Sequence, residues 1–126
     1  MARVDSGPPI LRSQKFNYDF NVQGGAISTI VLGTLPDNAV VTRHFIDVYT
    51  PTGTASGTST LTLKVGSTTI KAENHSSAPY NGTGTSPLER VNVLKTDGTT
   101  DVTLQIQTAA LNAGAFNYFV QYYHSV

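Results

Sequence analysis

The side chains best suited to hold a metal or move a proton are three histidines, His44, His75 and His124, and eight carboxylates among 126 residues. A metal centre needs several such ligands presented together, with further polar groups to orient the rings. The histidines lack that company. His44 follows Arg43, a poor neighbour for a cation, His75 lies in a stretch rich in Asn, Ser, Pro and Gly, and His124 stands near the C-terminus. The acids are as scattered. Asp37, Asp97 and Asp101 occupy turn-forming sequences, where a carboxylate bonds nearby backbone N–H groups. Asp19, Asp47 and Glu89 fall on strand-like segments, Glu73 borders a loop and Asp5 sits near the N-terminus. Glycoside hydrolysis requires two carboxyls across one cleft, and no spacing here prepares that. No Gly-x-Ser-x-Gly elbow, no Gly-x-x-x-x-Gly-Lys-Ser/Thr run and no cysteine occurs. The motifs for a serine nucleophile, a phosphate cradle and thiolate chemistry are therefore missing. The expectation is a protein that is not an enzyme, with no catalytic residues, no cofactor and no metal.

Composition narrows the partners. Lys+Arg equals Asp+Glu at 8 each, and charged residues are only 13% of the chain. Such a balance gives no steering field for nucleic acid or an anionic membrane surface. Polarity must come from Thr, Ser, Asn and Gln, which suits a surface covered by protein neighbours. No apolar run approaches a membrane span, and Met1 to Gln14 holds no apolar core of a secretory signal, so synthesis in a cytoplasm without export by a visible signal is expected. Asn74-His75-Ser76 and Asn81-Gly82-Thr83 match the glycosylation pattern and read as loop residues.

The elements that would position any site are strands. Gly7-Pro8-Pro9 blocks helix and sheet alike, so residues 1–13 read as an extended arm in which Pro8, Pro9, Ile10 and Leu11 reach for a partner. Residues 14–126 read as one domain. Phe16, Tyr18, Phe20 and Val22 alternate with polar residues, which predicts a half-buried strand. Gln23-Gly24-Gly25 turns the chain, Ala26 to Leu32 is a second strand and Pro36-Asp37-Asn38 is a turn. Ala39 to Thr50 is a long strand, with Val40, Thr42, His44, Ile46 and Val48 on one face and Val41, Arg43, Phe45, Asp47 and Tyr49 on the other. Both faces are partly apolar, so one is expected to meet a subunit or another layer. Leu61, Leu63 and Val65 face inward on Thr60 to Gly66, and Thr68 to Ala72 returns. Residues 73–87 read as an exposed loop, Leu88 to Leu94 as a strand, and Thr96-Asp97-Gly98-Thr99 as a turn. Val102, Leu104 and Ile106 alternate on the next strand. On the last, Phe116, Tyr118, Val120 and Tyr122 point inward and Asn117, Phe119, Gln121 and Tyr123 outward.

About eight strands at turn spacings of roughly ten residues predict an all-β, two-sheet antiparallel sandwich. A jelly-roll order is the first choice and an immunoglobulin-like order its competitor, since both bury alternate residues of two sheets. The outward Phe119 and Tyr123 form an apolar stripe fit for a subunit contact. An alternative places Tyr80, Tyr118 or Tyr123 against sugar faces, as in a carbohydrate-binding module.

Three stretches carry a family likeness: Phe20-Asn21-Val22-Gln23-Gly24-Gly25-Ala26-Ile27-Ser28-Thr29-Ile30 with Leu35-Pro36-Asp37-Asn38-Ala39-Val40-Val41; Ser59 to Gly66 continuing to Ile70; and Asp101 to Ile106 followed by Leu111-Asn112-Ala113-Gly114-Ala115-Phe116-Asn117-Tyr118-Phe119-Val120-Gln121-Tyr122. Together they span most of residues 16 to 123, and with them the chain resembles small all-β virion proteins of tailed bacteriophages, of the head-decoration or auxiliary capsid kind. The resemblance implies a jelly-roll-like sandwich on the outer capsid surface, often a homotrimer. It would bind the lattice of major capsid protein and bridge neighbouring subunits, stabilising the assembled head. Tail, baseplate or head-fibre structural roles are the alternatives within the same class. Residues 1–13 and 73–87 fall outside the likeness.

Overall fold

The computed structural model describes residues 10–88 and 94–124. Period-two alternation becomes β1 (Leu11–Asp19), β2 (Ser28–Leu35), β3 (Ala39–Thr54), β4 (Thr60–Val65), β5 (Thr68–Asn74), β6 (Gly84–Pro87), β7 (Leu94–Lys95), β8 (Thr100–Gln107) and β9 (Leu111–His124). A single helical turn, α1 (Phe20–Gln23), interrupts them.

Two antiparallel sheets form. One runs β1-β9-β3-β6, with β7 also pairing β3, and the other runs β2-β8-β4-β5. Strands β1 with β9, β2 with β8, β3 with β6 and β4 with β5 are the rungs of one long hairpin rolled into a sandwich. This is the jelly-roll order, not the immunoglobulin-like one. β9 enters the middle of its sheet, between β1 and β3, so the last strand closes the core.

The core lies between the sheets, where Phe16, Tyr18, Ile46, Val48, Leu61, Leu63, Val65, Val102, Leu104, Ile106, Phe116, Tyr118 and Val120 are buried. Aromatic rings tilt against one another there, Phe16 against Tyr118 at 6.0 Å and Tyr18 against Phe116 at 5.5 Å. Such pairs add specific geometry to the area they bury, and a buried tyrosine needs a partner for its hydroxyl. Tyr18 donates to the Gly24 carbonyl at 2.8 Å and Tyr80 to the Lys71 carbonyl at 3.1 Å, while Tyr118 Oη lies 2.7 Å from His44 Nδ1.

The structure corrects several sequence expectations. The first strand stops at Asp19, whose side chain caps α1 by accepting from Asn21 N–H at 2.9 Å. Phe20 and Val22 therefore leave the strand pattern, and Val22 is 78% exposed. A local side-chain-to-backbone bond outcompeted the ladder. The strand also begins at Leu11, so residues 11–13 pair with β9 and are not arm. On β3 the register shifts between Val41 and Arg43. This bulge flips the pleat: Val41 is buried before it and His44, Ile46 and Val48 after it. The expected face of Val40, Thr42, His44, Ile46 and Val48 is therefore split. Only two residues of the expected Leu88 to Leu94 strand, Leu88 and Leu94, lie among the described residues. Leu94 begins β7.

The segment 73–87 is not a free loop. Its end is β6, which pairs with β3. Its middle is tied down by Thr52 N–H to the Tyr80 carbonyl at 3.0 Å and His75 N–H to the Ser59 carbonyl at 2.8 Å.

Two glycines are required by close approach. A Cβ at Gly25 would collide with the Leu111 carbonyl, which sits over it because Leu111 N–H bonds the Gly25 carbonyl at 2.8 Å. Gly114 holds φ at +142° beside Thr52, in a region nearly closed to other residues.

Candidate interaction face

Because β1, β9, β3 and β6 share one register, the outward side chains of their sheet fall into rows. Pro87, Phe45, Phe119 and Lys15 lie side by side, then Thr85, Asp47, Asn117 and Asn17; on the other side come Arg43, Gln121 and Ser13, and beyond them Val40, Tyr123 and Leu11. Phe45 and Phe119 stack with ring centroids 4.8 Å apart and planes 18° from parallel. Asn17 Nδ2 donates to Tyr49 Oη and to Asn117 Oδ1, both at 2.9 Å. Tyr49 is 46% exposed and Leu11 48%. The face thus carries rigid aromatic groups beside fixed amide and hydroxyl groups, the mixture that anchors protein contacts. A shallow hollow of about 290 Å³ continues it past Tyr49, lined by Asp19, Phe20 and Asn112 among others.

The sequence-predicted site residues divide sharply. Phe119 and Tyr123 stand outward on β9, half-buried, in the rows just described. Leu11 joins the Tyr123 row, and Ile10 precedes it at 69% exposure. Pro8 and Pro9 lie outside the described residues. Tyr80 is a correction. It is fully buried, packed on Phe116 at 5.9 Å, and burial pushes its phenol well above the ordinary tyrosine range, with Glu73 adding to the shift. Tyr118 is likewise fully buried. Neither ring can stack on a sugar. Phe45, Tyr49, Asn17, Asn117 and Pro87 were not singled out as site residues. The signal for two of them was the apolar outer face of the long strand, where Phe45 and Tyr49 alternate with charges.

The histidines have structural tasks. His44 is buried at 5.8 Å from the Tyr118 ring. His75 Nδ1 accepts from Ser59 N–H at 3.0 Å, and His124 Nε2 lies 2.9 Å from the Asp37 carbonyl. Among the described residues no group of three His, Cys, Asp or Glu side chains could hold a metal, and no helix is long and apolar enough to cross a membrane. Asp37 accepts from Gly98 N–H at 2.7 Å and Asp47 from the Thr85 hydroxyl at 3.3 Å, so each serves its own turn or row.

Comparison with solved structures places this fold. The chain is similar to one in the capsid asymmetric unit of cyanophage Pam1, at TM-score 0.65 and 19% identity over 98% of this chain and 94% of that one. A chain in the capsid of Ralstonia phage GP4 matches at TM-score 0.65 and 18% identity, covering 100% and 92%. One in the acidic stable capsid structure of Helicobacter pylori bacteriophage KHP30 matches at TM-score 0.65 and 13% identity, covering 90% and 87%. No protein-family model and no curated protein matches the sequence. The all-β virion architecture implied by the resemblance is thus matched at the level of the fold, across nearly the whole chain.

The opposite outer face contrasts with the aromatic one. Thr29, Gln105 and Thr62 form one row and Val31, Thr103 and Lys64 the next. A shallow hollow of about 510 Å³ opens there, lined by Thr29, Lys64, Thr99, Thr100, Asp101, Thr103 and Gln105. Neither hollow gathers two carboxylates or a histidine, so neither offers an acid–base pair.

Proposed function

We propose that the protein is a structural component of a bacteriophage virion, a decoration protein on the outer surface of the assembled head. It bridges neighbouring major capsid subunits, as a homotrimer, through the aromatic face of the β1-β9-β3-β6 sheet. The observation that carries the reading is the match of nearly the full chain to chains of three phage capsid structures. Among the described residues neither hollow gathers an acid–base pair, which favours binding over turnover. A protein that binds only the assembled lattice stabilises it by mass action, by about 2.7 kcal/mol per site when held at ~100 times its dissociation constant. Summed over many sites, that is a substantial barrier to opening a pressurised shell. Tyr123 alone among the three tyrosines considered for sugar stacking has exposed ring surface, so the carbohydrate-binding reading has little left to stand on.

The test is addition of the purified protein to heads that lack it, followed by cosedimentation and image reconstruction. Saturable attachment at fixed lattice positions, with a raised temperature of head disruption, is the expected result. Attachment to tails alone, or none to heads, would overturn the head assignment.

A further inference from the structure

We propose that the open edge of β1 pairs antiparallel with β1 of a second copy of this chain, joining two sandwiches across a two-fold axis centred on Ser13. Among the described residues β1 is an edge strand, paired only with β9. Its C-terminal half is already protected. The Gln23 side-chain amide donates to the Asn17 carbonyl at 3.0 Å and accepts from Asp19 N–H at 2.7 Å, standing in for the peptide of an absent neighbour. These two bonds also fix the parity of the strand. Both backbone groups of an extended residue point to the same side, so residues 11, 13 and 15 aim theirs away from β9, as residues 17 and 19 do. Nothing in the described chain meets the backbone groups of Leu11, Ser13 and Lys15 on that side. An uncapped run of this kind is a template for another strand.

Charge and row continuity select the occupant and the register. Pairs whose outward groups face each other must be odd with odd. Centring on Arg12 would oppose two arginines, and centring on Lys15 two lysines. Centring on Ser13 opposes Leu11 to Lys15 of the partner and Arg12 to Gln14 of the partner, with no like charges. The same register carries the Phe45-Phe119-Lys15 row of one copy into the Leu11-Tyr123-Val40 row of the other, making one apolar stripe across both sheets. The inference rests on β1 alone, so it stands or fails apart from the virion reading.

The chain has no native cysteine, so Ser13→Cys reports the axis directly. In mild oxidation of the full chain, S13C should form disulfide dimers about tenfold faster than Thr58→Cys, a collision control in an exposed loop. Leu11→Lys, which opposes Lys15 of the partner, should slow S13C cross-linking severalfold, and Leu11→Glu should not. Ser13→Pro removes only an outward N–H, and should abolish the two-fold pairing seen by sedimentation, leaving any threefold assembly in place and the melting temperature nearly unchanged. Equal rates for S13C and T58C overturn the proposal. So does a chain that stays monomeric while S13P loses attachment to heads, a result that would give this edge to a capsid segment instead.

Discussion

The two outer faces of the sandwich cover the same core and differ in nearly everything else. On the β1-β9-β3-β6 sheet the outward rows hold stacked Phe45 and Phe119, Tyr49 bonded to Asn17, and Leu11 beside Tyr123. On the β2-β8-β4-β5 sheet they hold no aromatic ring but Thr29, Thr62, Thr103 and Gln105, with Lys64 and the 56% exposed Val31 among them. Threonine fits a pleated surface and stays comfortable in water. Half-buried, stacked phenylalanines gain nothing from the water they still touch and would gain from further cover. The asymmetry teaches that alternation fixes what is inside, while it leaves the outward residues of the two sides free to differ.

The contrast can be broken most forcefully along β9, where inward and outward aromatics are three residues apart. Phe116→Ala should cost about 3–5 kcal/mol of folding stability, and Phe119→Ala under about 1 kcal/mol, both read from urea unfolding. Equal losses would mean that Phe119 is core and that the outer face is no surface. Alkaline titration probes the same inside–outside division. Burial, with a smaller contribution from Asp19, pushes the Tyr18 phenol up to about 12. A raised folded value means that this contribution to stability is complete below pH ~10 and is lost as pH rises towards 12. Tyrosinate absorbance should therefore grow together with loss of the far-ultraviolet strand signal across that window.

Smaller effects sharpen the functional side. Phe45→Ser with Phe119→Ser should weaken attachment to heads about tenfold to a hundredfold, with the fold intact by circular dichroism. Unchanged attachment would move the contact elsewhere. Asn17→Ala, which frees Tyr49 and Asn117 from their shared amide, should cost about 1 kcal/mol of stability. Thr29→Ala and Thr103→Ala should each fall within about 0.5 kcal/mol of the parent and leave attachment unaltered. A threonine variant that abolished attachment would reverse the assignment of faces.

Much of the fold was legible because it repeats locally. Leu61, Leu63 and Val65, then Val102, Leu104 and Ile106, then Phe116, Tyr118, Val120 and Tyr122 are buried as their spacing predicts. Reading failed where a distant or competing partner decides. Val22 lost its strand to the Asp19 cap, and Thr42 marks a bulge set against β9. Tyr80, in a stretch rich in turn residues, looked like a surface ring until Phe116 and the Lys71 carbonyl claimed it. The candidate face was half legible. Phe119 and Tyr123 follow from alternation, whereas Phe45 and Pro87 beside Phe119, and Leu11 beside Tyr123, come from three other strands and join those rows only once the register is known.

By itself the sequence determined most of the strands and the inward residues of most of them, because pleat and turn chemistry act over a few residues. Tertiary structure alone decided the rolled strand order, the flip of β3 and the meeting of Asn17 with Asn117, 100 residues apart. A period of two looks the same from either side of a strand, so only the neighbouring strand can say which side faces out and what lies next to it.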